Sequence, residues 1–174
     1  MWLLLACAGG GVTLDDASTD DTNVEDTDVG GEHLIQLSIN ELMADNATSL
    51  VLDDGTAPDW IELYNASEYD IDLTGFGITD DLAEPMKHVL SDIVVESEDF
   101  VVLYADGGDS SGGLAFKLGA GGESIGLYTP DSQPIDLIEF GEQVQDMALA
   151  RVEDGVEGDW HYVYGGTPGD SNED

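Results

Sequence analysis

The chain has 174 residues, of which 41% are hydrophobic, enough for one domain with a single core. It carries 39 Asp and Glu residues against 3 Lys and Arg residues, and its formal net charge is −36 at pH 7. Nucleic-acid binding depends on basic side chains that displace counterions from phosphates. This charge therefore excludes nucleic acids as partners, and it excludes electrostatic binding to an anionic membrane surface.

The first seven residues form an apolar stretch that ends at Cys7. A transmembrane helix needs about 20 apolar residues, so the stretch is interpreted as a targeting signal. The segment LLAC at 4–7 resembles the lipobox of bacterial lipoproteins. The resemblance implies a signal peptide over 1–6, a lipid on Cys7 and, with Ala8 next, an extracytoplasmic position on an outer membrane. The alternative is an apolar terminus with a free or buried thiol.

Residues 8–32 are rich in Gly, Thr, Ser and Asp, contain eight acids and lack aromatic residues. Such a composition cannot bury enough apolar surface to fold, so it predicts a disordered acidic linker over 7–32. The folded domain is predicted over 33–172.

From residue 34 onward, short apolar runs rich in β-branched and aromatic residues are separated by Gly, Asp, Asn, Ser and Pro. This pattern favours an all-β fold made of two antiparallel sheets. The predicted strands are 34–42, 60–65, 71–73, 76–79, 87–90, 100–105, 115–118, 124–129, 135–140, 148–152 and 160–163.

Several segments resemble, in order, the lamin tail domain, an immunoglobulin-like module. They are INELMA at 39–44, DWIELYN at 59–65, DLTGFGITD at 72–80, FKL at 116–118, GESIGLY at 122–128, RVEDG at 151–155 and TPGDSN at 167–172. The resemblance implies an immunoglobulin-like β-sandwich that binds or supports other molecules and is not an enzyme.

The DWIELYN segment has an alternating pattern. Ile61 and Leu63 share one face and are expected in the core, while Trp60, Glu62 and Tyr64 share the other face and are expected outside or at an edge. Phe76 lies between two glycines, which allow close backbone approach.

Basic residues are so rare that each is expected to have a specific partner. Lys117 and Arg151 are predicted to contact at least one carboxylate each, with Glu62 as a candidate partner. Unpaired surface charges are the alternative.

Calcium binds carboxylate oxygens, so the excess of Asp and Glu is compatible with calcium as a cofactor. No other cofactor is expected. Asp also caps turns through its own hydrogen bonds, which is the alternative for each candidate. The candidates lie in predicted turns: Asp53, Asp54, Asp80, Asp81, Asp106 and Asp109.

The sequence matches known catalytic motifs only weakly. GESIG at 122–126 matches the Gly-x-Ser-x-Gly pattern but leads into a predicted strand, whereas a nucleophile elbow leads into a helix. His33, His88 and His161 lack the close spacing of zinc ligands. A hydrolase is therefore the least favoured hypothesis.

The sequence favours a lipid-anchored binding or structural module at the cell surface. Its expected partner is a protein or polysaccharide of the surface or envelope, and the membrane is contacted only through the lipid. The alternative is a calcium-dependent adhesion module.

Overall fold

The computed structural model describes residues 35–110 and 112–172, in which the regular elements are β-strands. Within these residues, no helix has the length and apolar character needed to cross a membrane. Cys7 and the 7–32 linker lie outside the described residues. The strands are β1 (Leu37–Met43), β2 (Asp59–Asn65), β3 (Ile71–Asp72), β4 (Gly77–Thr79), β5 (His88–Val89), β6 (Val94–Val95), β7 (Phe100–Ala105), β8 (Glu123–Tyr128), β9 (Pro134–Phe140), β10 (Met147–Arg151) and β11 (Trp160–Tyr164).

The strands form two main antiparallel sheets. One has five strands in the order β11-β10-β1-β2-β7, the other has four in the order β5-β4-β8-β9, and β3 pairs with β6. Buried aliphatic side chains from both sheets, including Ile61, Leu103, Ile78 and Ile125, form one core. The predicted all-β, immunoglobulin-like sandwich is thus confirmed.

Two strand predictions differ from the structure. In the predicted strand 115–118, Phe116 and Leu118 are buried, but Ala115 and Phe116 form a bend, and the one ladder contact of this segment within the described residues is an isolated bridge between Asp106 and Lys117. The apolar pattern therefore matches the burial of Phe116 and Leu118, but the strand prediction was wrong. Strand β6 was not predicted, because its two residues are too few to show a pattern.

The two faces of β2 correct another expectation. Ile61 and Leu63 enter the core as predicted, whereas Trp60 and Glu62 are also fully buried, with 0% exposure. Trp60 packs with Met43 and Ala148 on the outer face of the five-stranded sheet. The prediction that these side chains lie outside was therefore wrong.

The C-terminal loop, defined here as residues 165–172, explains this burial. A Cβ atom added at Gly166 would lie 3.0 Å from Cζ2 of Trp60, 3.0 Å from Oε1 of Glu41 and 2.9 Å from Cβ of Ala148. The loop therefore lies directly against the outer face of the sheet. Strand alternation cannot reveal such a cover, because the loop is distant in sequence.

Arg151 on β10 links the two sheets. Its Nη2 atom lies 2.8 Å from the Asp136 carboxylate on β9, and its guanidinium also donates to the carbonyl oxygens of Ile39 and Val156, each at 2.7 Å. The guanidinium carbon lies 4.7 Å from the Trp160 ring, within cation–π range. With a side chain 4% exposed, Arg151 is a buried and well-compensated charge.

The two predicted ion pairs should contribute very differently to stability. Arg151→Met leaves the Asp136 charge partly buried without its cation, and we expect it to lower the unfolding free energy by about 3 kcal/mol. Lys117→Met is the matched control. It removes an exposed pair, with side chains 65% and 79% exposed, and should change stability by less than about 1 kcal/mol. Urea titrations of both variants measure this, and equal midpoint shifts would contradict it.

Candidate functional site

A β-bulge shapes the outer face of the five-stranded sheet. Ile39 pairs with Leu63, and Glu41 pairs with Glu62, so Asn40 is an extra residue in β1. A bulge places two residues of one strand opposite one residue of its partner. Asn40, Glu41 and Glu62 all have 0% exposure. The sheet therefore carries a buried polar cluster on the face that the C-terminal loop covers.

The C-terminal loop supplies the hydrogen bonds that this cluster needs. The Gly169 N–H donates to Oε2 of Glu62 at 2.6 Å, and the Thr167 N–H donates to Oε2 of Glu41 at 3.0 Å. The Asn40 amide nitrogen donates to Oε1 of Glu62 at 3.1 Å. Buried carboxylates are tolerated only when they are hydrogen-bonded, so sheet and loop stabilise each other.

Asp154 fastens the end of the same loop. Its Oδ1 accepts from the Asn40 side-chain amide at 2.9 Å and from the Asn172 N–H at 3.1 Å. Its Oδ2 accepts from the Ser171 hydroxyl. With Asp154, the cluster contains Asn40 and three carboxylates, which together hold one loop.

Burial makes two of these carboxylates weak acids. Loss of hydration raises the pKa of Glu41 and the pKa of Glu62 from 4.5 to about 7 each, although hydrogen bonds from Thr167, Gly169 and Asn40 act in the opposite direction. The nearby Asp154 charge raises both pKa values further. The pair therefore holds protons near neutral pH.

Stability should depend on pH through this pair. The pKa of Glu41 is raised from 4.5 to about 7 in the folded state, so the folded protein binds more protons in this interval than the unfolded chain. The contribution is fully present below pH 4.5 and is lost as pH rises through about 7. Glu41→Gln should flatten the fall in melting temperature over this interval. Glu139→Gln, at an exposed acid, is the matched control, and an unchanged slope in Glu41→Gln would refute the assignment.

Contact between the C-terminal loop and the outer face can be tested at two glycines. Gly166 and Gly169 both have positive φ, 65° and 90°, but only an added Cβ at Gly166 meets neighbouring atoms. Both alanine variants should pay about 1 kcal/mol of backbone strain. Gly166→Ala should lose about 1–3 kcal/mol more through overpacking against Trp60. Thermal unfolding compares the two, and equal losses would show that the loop does not press on the sheet.

Among the calcium candidates, Asp54, Asp81 and Asp106 accept hydrogen bonds from backbone N–H groups of their own turns. Asp54 accepts from the Thr56 N–H at 2.9 Å, and these Thr56 contacts hold the pKa of Asp54 below its ordinary value. Asp81 accepts from the Ala83 N–H at 2.9 Å, while Asp80 lies 2.5 Å from Nζ of Lys87. Asp53 lies in an exposed turn.

Three candidates nevertheless share one recess of about 340 Å³, which is lined by Asp54, Asp59, Asp106, Asp109 and Lys117 among others. Asp106 accepts from the N–H groups of residues 108–110, and Asp109 lies 3.3 Å from Nζ of Lys117. No group of three or more His, Cys, Asp or Glu residues suited to a metal ion occurs in the described part of the chain.

The remaining predicted residues have structural positions. Phe76 is buried in the main core, and a Cβ added at the adjacent Gly77 would lie 2.5 Å from the Pro85 carbonyl oxygen, which requires glycine there. Lys117 contacts Asp109, so both predicted cations have carboxylate partners, but Glu62 is the partner of neither.

The residues of the weak catalytic motifs also belong to the sheets. Ser124 lies within strand β8 opposite Glu139, not at a strand-to-helix turn. Nδ1 of His88 accepts from the Ala115 N–H at 3.0 Å, and His161 lies on β11 of the other sheet. His33 lies outside the described residues.

Strand β11 forms one edge of the five-stranded sheet. It pairs with β10 and with no other strand in the described ranges. Tyr162 is 49% exposed and Tyr164 is 77% exposed, and the Tyr162 phenol accepts from the Gln143 amide at 3.3 Å. This edge combines unpaired backbone with exposed aromatic rings.

Comparison with known families decides the identity of the fold. The model of the Lamin Tail Domain matches residues 34–142, which is more than half of the chain. The chain belongs to the lamin tail domain family. A search of curated proteins found no match. The matched part of this lamin tail domain runs from β1 to β9, whereas the C-terminal loop follows it and nevertheless completes the buried cluster.

Sequence reasoning missed Glu41, Asn40 and Asp136 as structural residues. Asn40 and Glu41 stood within the recognised opening strand, but strict alternation placed them on opposite faces. The bulge brings both into the cluster on the outer face. Asp136 offered no signal beyond one acid in an apolar strand, because its partner is on the other sheet.

Proposed function

We propose that this lamin tail domain is a lipid-anchored, extracytoplasmic module that binds or supports an envelope component and has no catalytic role. The observation that carries the binding role is the open edge of β11 with its exposed tyrosines Tyr162 and Tyr164. Large exposed aromatic side chains beside unpaired backbone are features of recognition surfaces. The partner is a protein or polysaccharide of the surface.

The positions of the polar groups support a role without chemistry. The most strongly buried carboxylates, Glu41 and Glu62, are engaged by the C-terminal loop. Ser124 and His88 lie on β8 and β5, where they form part of the four-stranded sheet. Groups that hold a fold together in this way are poorly placed to meet a substrate.

The N-terminal sequence supports anchoring. Cys7 stands in a segment that resembles a lipobox, and two or more acyl chains suffice for stable membrane attachment. Residues 8–32 can extend to roughly 80 Å at about 3.3 Å per residue. Their eight acids repel one another and an anionic surface, which favours an extended tether.

Acylation of Cys7 is the direct test of anchoring. Mass spectrometry of the protein from the membrane fraction should find a chain that begins at Cys7 and carries acyl groups. Cys7→Ser should abolish acylation and move the protein out of that fraction. The control is Ala8→Ser, which keeps the thiol and should remain acylated.

The extracytoplasmic position is tested on the same cells. Protease added to intact cells, after outer-membrane permeabilisation where needed, should cut within 8–32 and release the folded domain. A wild-type protein with an unmodified thiol in the soluble fraction would refute the anchored module.

A further inference from the structure

The open side of β11 has a defined hydrogen-bonding pattern. The Val152 N–H donates to the Asp159 carbonyl at 3.1 Å, and the Gly165 N–H donates to the Asp146 carbonyl at 2.9 Å. In an antiparallel pair, residues that bond to the partner strand alternate with residues that do not. Asp159 and Gly165 are bonded positions, so the alternation makes 161 and 163 bonded positions as well. The residues between them, Trp160, Tyr162 and Tyr164, therefore direct their N–H and C=O groups away from β10.

The same three residues form an aromatic shelf, the name used below for Trp160, Tyr162 and Tyr164. Tyr162 pairs with Leu149, which packs against the main core, so the shelf follows the inner face of the sheet. Trp160 is partly buried there, while the two tyrosines extend beyond it with 49% and 77% exposure. Flat rings next to free backbone suit the side chains of an added strand.

The charge beside the shelf is negative. Glu139 and Glu157 line a recess of about 260 Å³ together with Trp160. Arg151 also lines it, but its charge is already compensated by Asp136 at 2.8 Å. Because the whole chain has a net charge of −36, positive charge on a partner strengthens its binding at this edge.

We propose that β11 accepts an extended polypeptide segment with Lys or Arg at alternate positions, which adds to the five-stranded sheet as a further strand. This inference rests on the proposed binding function and names its site and partner class. The backbone groups of the aromatic shelf provide the ladder. Glu139 and Glu157 select the basic side chains.

Two other occupants of this edge are disfavoured by charge. A second copy of the chain also has a net charge of −36. Residues 8–32 of the same chain contain eight acids and no Lys or Arg. Both would meet Glu139 and Glu157 with like charge, which weakens association.

The probe is a synthetic peptide of about ten residues with alternating Lys and Val and blocked ends. It is added to the full chain in zwitterionic detergent, and backbone hydrogen exchange is measured by NMR. We expect the amides of the aromatic shelf to exchange more slowly, and we expect the affinity to fall as sodium chloride is raised. A Glu/Val peptide and a peptide with N-methylated Val should both fail to bind.

The matched variants are Tyr164→Pro and Tyr164→Thr. Proline removes the outward N–H without breaking a bond to β10, since edge strands tolerate proline on their open side. Tyr164→Pro should weaken peptide binding by about tenfold or more, because the bond is lost and the ring blocks the incoming strand. Tyr164→Thr keeps the N–H and should weaken binding by less than about threefold. Exchange protection in β10 of both variants reports whether the sheet is intact.

Protection at another surface, equal binding of the Lys and Glu peptides, or unchanged affinity in a folded Tyr164→Pro variant would each overturn the proposal. Absence of peptide binding together with binding of a neutral oligosaccharide would also overturn it. None of these results bears on Cys7 acylation or protease release, so failure here is distinguishable from failure of the anchored module.

Discussion

The buried carboxylates of Glu41 and Glu62 set the main constraint on this structure. Acids removed from water need hydrogen-bond donors, and here the donors are backbone N–H groups of Thr167 and Gly169. One face of the five-stranded sheet is therefore closed by a loop from the far end of the chain. As a result, Trp60 and Met43 form a second small core.

Scarce positive charge has a related structural effect. Arg151 is the cation placed between the sheets, where its planar fork reaches Asp136 and two backbone carbonyls. Lys117 and Lys87 pair with acids nearer the surface. Since these pairs neutralise few of the 39 acids, the domain retains a strong negative field. The same field that disfavours phosphate and like-charged copies favours a basic partner at β11.

The proposed binding site thus lies at an exposed strand edge, next to sheet faces that are covered. The lamin tail domain closes its outer face with the C-terminal loop and its core with the four-stranded sheet, while β11 pairs with β10 alone among the described strands. Exposed edges promote unwanted pairing between identical chains. The high negative charge opposes such pairing and leaves the edge available to partners of the opposite sign.

The sequence by itself determined the all-β class, the strand-forming segments and the family resemblance, because period-two patterns and turn residues are local signals. It also indicated that Lys117 and Arg151 would have acidic partners. Only the tertiary structure decided that Glu62 and Trp60 are buried, that Asn40 and Glu41 share a face, and that Asp136 pairs with Arg151. These features depend on a bulge, a covering loop and contacts between sheets. Such contacts join residues about 15 to more than 120 positions apart, and no local pattern can encode them.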